Sequence, residues 1–98
     1  MSGAQFLAET LNGYGVSPFF FMPVIVPDSM PHLERLGITR VMTHSEKPAA
    51  YMADAYARVS RSVGVCGSQS VGAANLAAGL QDAYLASAPV IAITGRLP

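Results

Sequence analysis

The stretch RVMTHSEKPAAYMADAYARVSR, residues 40–61, shows a strand pattern followed by a helix pattern. Its beginning completes the run ITRVM, residues 38–42, whose β-branched and apolar content predicts a short strand. After a polar break that contains His44 and Glu46, apolar residues recur at the i, i+3, i+4 spacing of a helix. The predicted inner face of that helix consists of Ala49, Met52, Ala53, Tyr56 and Ala57. An acid therefore stands at the junction between a strand and a helix.

The rest of the chain alternates between strand-like and helix-like segments. The predicted order is a helix at 4–14, a strand at 19–22, a helix at 28–37, a strand at 38–42, the helix just described, a strand at 63–68, a helix at 71–87 and a strand at 89–95. Parallel neighbours need a crossover, usually a helix. This alternation predicts an α/β fold with an open, mostly parallel sheet of about four strands flanked by helices.

Several local details follow from the same patterns. Asp28 and Ser29 are expected to cap the second helix, and Ser45 the third. Asp54 and Arg58 are expected to form an i,i+4 pair on an outward face. The predicted inner face of the helix at 71–87 consists of Ala73, Leu76, Ala77, Leu80 and Tyr84.

Composition limits the class of protein. With 98 residues the chain is expected to form a single domain, residues 1–98. Six basic and six acidic residues are scattered, which argues against nucleic acid or an anionic membrane as partner. Cys66 is the single cysteine and is expected to be a small buried hydrophobe. No apolar stretch approaches the ~20 residues of a membrane span, so a cytoplasmic location is expected.

The predicted strand at 89–95 is followed by no helix before Pro98. A parallel strand normally has cover on both faces and neighbours on both edges. The domain is therefore expected to be incomplete.

Ligands of open parallel sheets bind beyond the carboxyl ends of the strands. In this chain those positions are residues 22–24, 43–46, 68–72 and Gly95. Glu46 has two interpretations there: an acid that complements the dipole of its own helix, or a functional group. His44 is interpreted as a polar strand-end residue, and the glycines of GSQSVGAAN, residues 67–75, do not match a dinucleotide fingerprint. The residues alone predict a pocket without a defined reaction.

Two longer stretches carry a resemblance to a known family. They are HSEKPAAYMADAYAR, residues 44–58, and VGAANLAAGLQDAYLASAPVIAITG, residues 71–95. Their spacing is similar to the His-Glu, Ala-Ala, Ala-Asp-Gly-Tyr-Ala-Arg pattern of one domain type. The chain, from about Ala4 to its end, resembles the N-terminal pyrimidine-binding domain of thiamine-diphosphate-dependent enzymes, particularly the acetolactate synthase and pyruvate decarboxylase group.

The resemblance implies thiamine diphosphate as cofactor and assigns roles to particular residues. Glu46 falls on the catalytic glutamate that exchanges a proton with N1′ of the aminopyrimidine ring and so activates the cofactor. Pro23, Gly72 and Asn75, with Glu46, fall on cofactor-binding positions. No metal ligand is assigned to this chain, because the magnesium and diphosphate groups are held by a separate domain. A poorly solvated carboxylate suits this proton exchange.

The chain also departs from the family pattern. Val24 follows Pro23 where many relatives have Pro-Gly, and Ser45 separates His44 from Glu46. Residues 69–71, Gln-Ser-Val, replace the family's Ser-Gly-Pro. These departures lie beside the expected substrate position, so the role of His44 and the substrate stay unassigned.

The resemblance implies the N-terminal portion of an enzyme that acts on a 2-keto acid and is inactive without its diphosphate-binding domain. Either a homo-oligomer or that complementary domain is the expected partner. A second hypothesis is a non-catalytic binding or oligomerisation module that uses the exposed last strand. A third, a nucleotide-binding doubly wound domain, rests on fold analogy alone.

Overall fold

The computed structural model describes residues 1–96. Its elements are α1 (Gly3–Gly13), β1 (Pro18–Phe21), α2 (Met30–Arg35), β2 (Thr39–Met42), α3 (Glu46–Ser60), β3 (Gly64–Gln69), α4 (Val71–Ala78), α5 (Gln81–Leu85) and β4 (Val90–Gly95). None of these helices has the length and hydropathy to cross a membrane. The prediction about the chain end concerns Leu97 and Pro98, which lie outside the described residues.

The four strands form one parallel sheet in the order β2-β1-β3-β4. This confirms the predicted α/β class. β1 lies inside the sheet, with Phe20 opposite Val41 on one side and Cys66 on the other. β4 is paired only with β3 within residues 1–96. Because all strands run the same way, their carboxyl ends meet at one edge of the sheet.

The two faces of the sheet have cores of different character. The face covered by α1 and α2 is built from large side chains; its buried residues are Ala8, Leu11, Val16, Phe19, Ile25, Leu33, Ile38 and Val65. The face covered by α3 and α4 is built mainly from small ones, namely Ala49, Ala50, Ala53, Cys66 and Leu76. Small side chains allow α3 to approach the sheet closely.

Cys66 is buried in the small-residue core and is not part of a disulfide. Burial raises the pKa of its thiol to about 11, because the thiolate would lose its hydration. The thiol therefore stays protonated near neutral pH. This confirms the prediction that Cys66 serves as a small hydrophobe.

The helix starts differ from the predicted side-chain caps. Ser29 holds the N-cap position of α2, but its hydroxyl donates to the carbonyl of Ala4 at 3.0 Å and so ties α2 to α1. Asp28 is exposed before the helix. Ser45 is the N-cap residue of α3 without a side-chain capping bond. Ser29 and Ser45 thus hold N-cap positions as predicted, but neither makes a side-chain capping bond, and Asp28 is not a cap. The backbone of Ser29 is helical (φ −85°, ψ −21°), whereas a capping residue is typically extended.

The inner face of α3 is rotated from the predicted one. Ala49, Ala53 and Ala57 are buried as expected, but Met52 is 43% exposed and Tyr56 only partly buried. Ala50 is buried where it contacts α4. The reason is that α3 packs against two neighbours, the sheet and α4, rather than against the sheet alone.

Asp54 and Arg58 form the predicted i,i+4 pair, but not on an outward face. Asp54 is only 5% exposed, and Arg58 donates through Nε to its Oδ1 at 2.7 Å and through Nη2 to its Oδ2 at 3.0 Å. The same Nη2 also donates to the carbonyl of Asp82 at 3.3 Å. The pair therefore links α3 to α5, and the expected exposure of Asp54 is wrong.

The single helix predicted at 71–87 is divided into α4 and α5. The amides of Gly79 and Leu80 donate three residues back, to Leu76 and Ala77, which makes a tight turn between the helices. A Cβ at Gly79 would lie 2.8 Å from the Cβ of Ala50, so the turn sits directly against α3.

This turn changes which residues of the segment face the core. Leu76 is buried as predicted, together with Gly72 and Ala83. Ala77 and Tyr84 are exposed, Tyr84 by 80%. Their predicted burial is wrong, because a continuous helical period does not hold across the turn.

Close backbone contact between α3 and β3 generates a first prediction. A Cβ at Gly64 would overlap the carbonyl oxygen of Ala53 and lie 2.7 Å from its carbonyl carbon. We expect Gly64→Ala to lower the free energy of unfolding in urea by about 3 kcal/mol or more, since backbone atoms must move. In the control Gly13→Ala, the new methyl meets no atom within 4 Å, and stability should be unchanged or slightly higher. Equal stability of the two variants would contradict this packing.

The residue before α4 generates a second prediction. Ser70 has φ 53° and ψ −129°, a backbone conformation that residues other than glycine rarely adopt. Its amide donates a hydrogen bond to the carbonyl of Gly95 at 2.9 Å. We expect Ser70→Gly to raise the free energy of unfolding by about 1 kcal/mol, because it removes this strain. Ser70→Ala retains the Cβ and should give no gain in the same urea titration. A gain with alanine but not with glycine would refute the strain.

Candidate functional site

Glu46 begins α3 at the carboxyl edge of the sheet, directly after the turn that leaves β2. The turn is fixed by the buried residue Thr43, whose amide donates to the carbonyl of Phe21 at 2.9 Å. Its hydroxyl donates to the carbonyl of Ser45 at 2.6 Å. The first bond anchors the turn to the central strand β1 and the second closes the turn before α3, so together they set the position of the first residue of α3.

Gly72 brings the backbone of α4 against the side chain of Glu46. A Cβ at Gly72 would collide with Oγ of Ser68 and would lie 3.3 Å from Cγ and 3.4 Å from Cδ of Glu46. Gly72 itself is buried. The glycine therefore leaves room for the stem of the glutamate between β3 and α4.

Asn75, one helical turn after Gly72, contacts the end of the same side chain. Its Nδ2 donates a hydrogen bond to Oε1 of Glu46 at 2.9 Å. A cavity of about 260 Å³ opens beside this pair. The residues that line it are Ser45, Glu46, Lys47 and Asn75. Glu46 is half-buried at this opening.

The structure thus brings together three of the four residues predicted to bind a cofactor: Glu46, Gly72 and Asn75. Pro23 is exposed in the loop after β1 and is not among the residues that line the cavity. His44 is also exposed, at the end of β2.

Two further residues lie at this site without a predicted role. Ser68 is buried at the end of β3 and is the side chain nearest to Gly72. Lys47 lines the cavity and follows Glu46 in the sequence. Ser68 falls within residues 68–72, which the sequence already places at the ligand edge, but no role was predicted for it.

A second cavity, of about 330 Å³, lies on the opposite face of the sheet. Its lining consists of Thr10, Leu11, Tyr14, Val16, Val63 and Ile91. It contains no carboxylate or base, so it offers no group for proton transfer near neutral pH. Within residues 1–96 no cluster of three histidine, cysteine or acidic side chains could hold a metal ion. Glu46 and its surroundings lie at the carboxyl edge of the sheet, where ligands of open parallel sheets bind, and form the candidate site.

Comparisons with known proteins show the family of the chain. The family described as "Thiamine pyrophosphate enzyme, N-terminal TPP binding domain" matches residues 1–98. Acetolactate synthase of Arthrospira platensis is 39% identical, over 100% of this chain and 18% of its own length. The probable acetolactate synthase large subunit of Methanocaldococcus jannaschii is 38% identical, over 100% of this chain and 17% of its own.

Acetolactate synthase isozyme 2 large subunit of Escherichia coli (strain K12) is 39% identical, over 99% of this chain and 18% of its own length. The chain thus spans less than a fifth of the length of these curated relatives. Similarity over the whole chain agrees with the parallel sheet described above. The chain belongs to the family of N-terminal thiamine-pyrophosphate-binding domains of thiamine pyrophosphate enzymes.

Proposed function

We propose that this chain is part of a thiamine-diphosphate-dependent enzyme that acts on a 2-keto acid, and that Glu46 activates the cofactor. In this proposal residues 1–98 are a single, incomplete pyrimidine-binding domain, and the enzyme is cytoplasmic. Family membership implies thiamine diphosphate, and the acetolactate synthase relatives support a 2-keto acid as substrate class. The observation that carries the proposal is a half-buried carboxylate, held by Asn75, beside a cavity at the carboxyl edge of the sheet.

The residues of the site fit an aminopyrimidine ring. Such a ring presents nitrogen atoms that can exchange protons with a carboxylate, and Glu46 supplies the carboxylate. Gly72 has no side chain that could fill the space beside Glu46. Glu46, Gly72 and Asn75 would hold the ring, with Pro23 as a further contact from the loop after β1.

When bound, thiamine diphosphate supplies a carbon nucleophile for the carbonyl group of the 2-keto acid. The role of this chain would be to hold and transfer one proton at N1′ of the ring through the carboxylate of Glu46. Magnesium and the diphosphate would be held by another domain. The relative from Arthrospira platensis is long enough to contain one, since this chain matches only 18% of its length. The chain alone is therefore expected to bind the cofactor but not to turn over substrate.

Substitution of the carboxylate tests this function. In the full-length enzyme we expect Glu46→Gln to lower kcat by about 10²–10⁴-fold, because a neutral amide cannot exchange the proton. Steady-state assays with a 2-keto acid measure the loss. The matched control is Glu9→Gln, which makes the same change at an exposed position of α1 and should retain activity. Turnover of Glu46→Gln close to wild type would refute the role.

A second candidate function is a non-catalytic oligomerisation module. Large apolar side chains are exposed on α4 and α5: Val71 by 81% and Leu85 by 70%, in addition to Tyr84. The outer edge of β4 is unpaired within residues 1–96. Exposed apolar surface and an open strand edge are typical of association sites.

Thermal denaturation and sedimentation of the purified chain separate the two candidates. Under the first, thiamine diphosphate with magnesium should raise the melting temperature, since ligand at about 100 times its Kd adds about 2.7 kcal/mol. Thiamine without the diphosphate serves as the control for ring binding alone. A stable oligomer whose melting temperature does not respond to the cofactor would contradict the first candidate and support the second.

A further inference from the structure

We propose that Asn75 is a positioning residue: its side-chain amide holds Oε1 of Glu46 and leaves Oε2 for proton exchange. The inference rests on the proposed function of Glu46. Asn75 was expected to bind the cofactor itself, but its observed contact is with the carboxylate, through the 2.9 Å bond from Nδ2 to Oε1. Within residues 1–96 the structure gives Oε2 no hydrogen-bond donor. The two oxygens of one carboxylate thus have different surroundings.

The position of Asn75 follows from the packing of α4 against α3. Gly72 and Asn75 are three residues apart, so they share one face of α4. A Cβ at Gly72 would lie 3.3 Å from Cγ and 3.4 Å from Cδ of Glu46, so α4 passes close to the stem of the glutamate, while Asn75 reaches its outer end. The glutamate is therefore restrained at two points along its length. Two restraints limit its rotamers, which reduces the cost of orienting a flexible side chain.

The chemical type of the donor also suits a proton-exchanging group. An amide donates a hydrogen bond without carrying a charge, whereas an ammonium or guanidinium group in its place would favour the ionised carboxylate and oppose its protonation. Lys47 lines the same cavity, but the described residues contain no ion pair between Lys47 and Glu46. A neutral donor can orient the carboxylate and still let it accept a proton.

The contact can be tested in the chain without cofactor. Side-chain amide signals of Asn75, recorded by ¹⁵N–¹H NMR, should shift strongly in Glu46→Ala, because their acceptor is removed. Lys47→Ala is the matched control, since it shortens a neighbouring side chain without removing the acceptor. The side-chain signals of Asn12, on α1, should stay unchanged in both variants. Asn75 signals that respond no more to Glu46→Ala than to Lys47→Ala would overturn the proposal.

The functional consequence can be tested in the full-length enzyme loaded with thiamine diphosphate and magnesium. Exchange of the C2 hydrogen of the cofactor with deuterium, followed by NMR, should slow about 10- to 100-fold in Asn75→Ala, as expected for a misplaced reacting group. The dissociation constant of the cofactor should change much less than this rate. In a Glu46→Gln background, Asn75→Ala should cause no further slowing. Asn12→Ala serves as the control for the same substitution elsewhere.

The outcomes distinguish this inference from the function on which it rests. Wild-type exchange in Asn75→Ala, with slow exchange in Glu46→Gln, would overturn the positioning role alone. A large rise in the cofactor dissociation constant that is equal in both backgrounds would also overturn it, because Asn75 would then bind the cofactor directly. Wild-type exchange in Glu46→Gln would overturn both proposals, even if NMR confirmed the contact between the two side chains.

Discussion

The close approach of α3 to its neighbours is the constraint on which the rest of the structure depends. At Gly64 the sheet touches the backbone of α3 at Ala53, and at Gly79 the α4–α5 turn touches Ala50. Protein interiors are close-packed, so an added methyl group at such points must displace backbone. Glycine and alanine are therefore required where these elements meet. With α3 held in this place, its first residue, Glu46, lies at the edge of the sheet where ligands bind.

The two faces of the sheet contribute differently to the structure. On the α1 and α2 face, large side chains such as Phe19 and Leu33 are buried, and removal of apolar surface from water is the main term that stabilises a fold. On the α3 and α4 face, small residues set short distances between backbones. The candidate site lies on this second face. On this face, short contacts between backbones, rather than long side chains, fix the positions of the helices. Such an arrangement suits a site that holds one carboxylate in place.

Most of the motif that marks the family serves packing in this structure. In residues 44–58 the alanines fill the contact with the sheet and α4, and Asp54 with Arg58 links α3 to α5. A buried acid needs such a partner, because an unpaired charge in the interior is costly. Glu46 differs from these residues, since it is half-buried and faces a cavity. The motif thus combines one acid that faces a cavity with residues that fix the position of its helix.

The sequence by itself determined the order of helices and strands, the parallel sheet and the place of Glu46 at a strand–helix junction, because periodicity and chain connectivity are local properties. It did not determine the division of the last helical segment at Gly79, the exposure of Met52 and Tyr84, or the burial of Asp54. Those depend on which neighbour meets each side of a helix. Only the tertiary structure paired Asn75 with Glu46, since the two residues lie 29 positions apart and meet only when α4 packs beside α3.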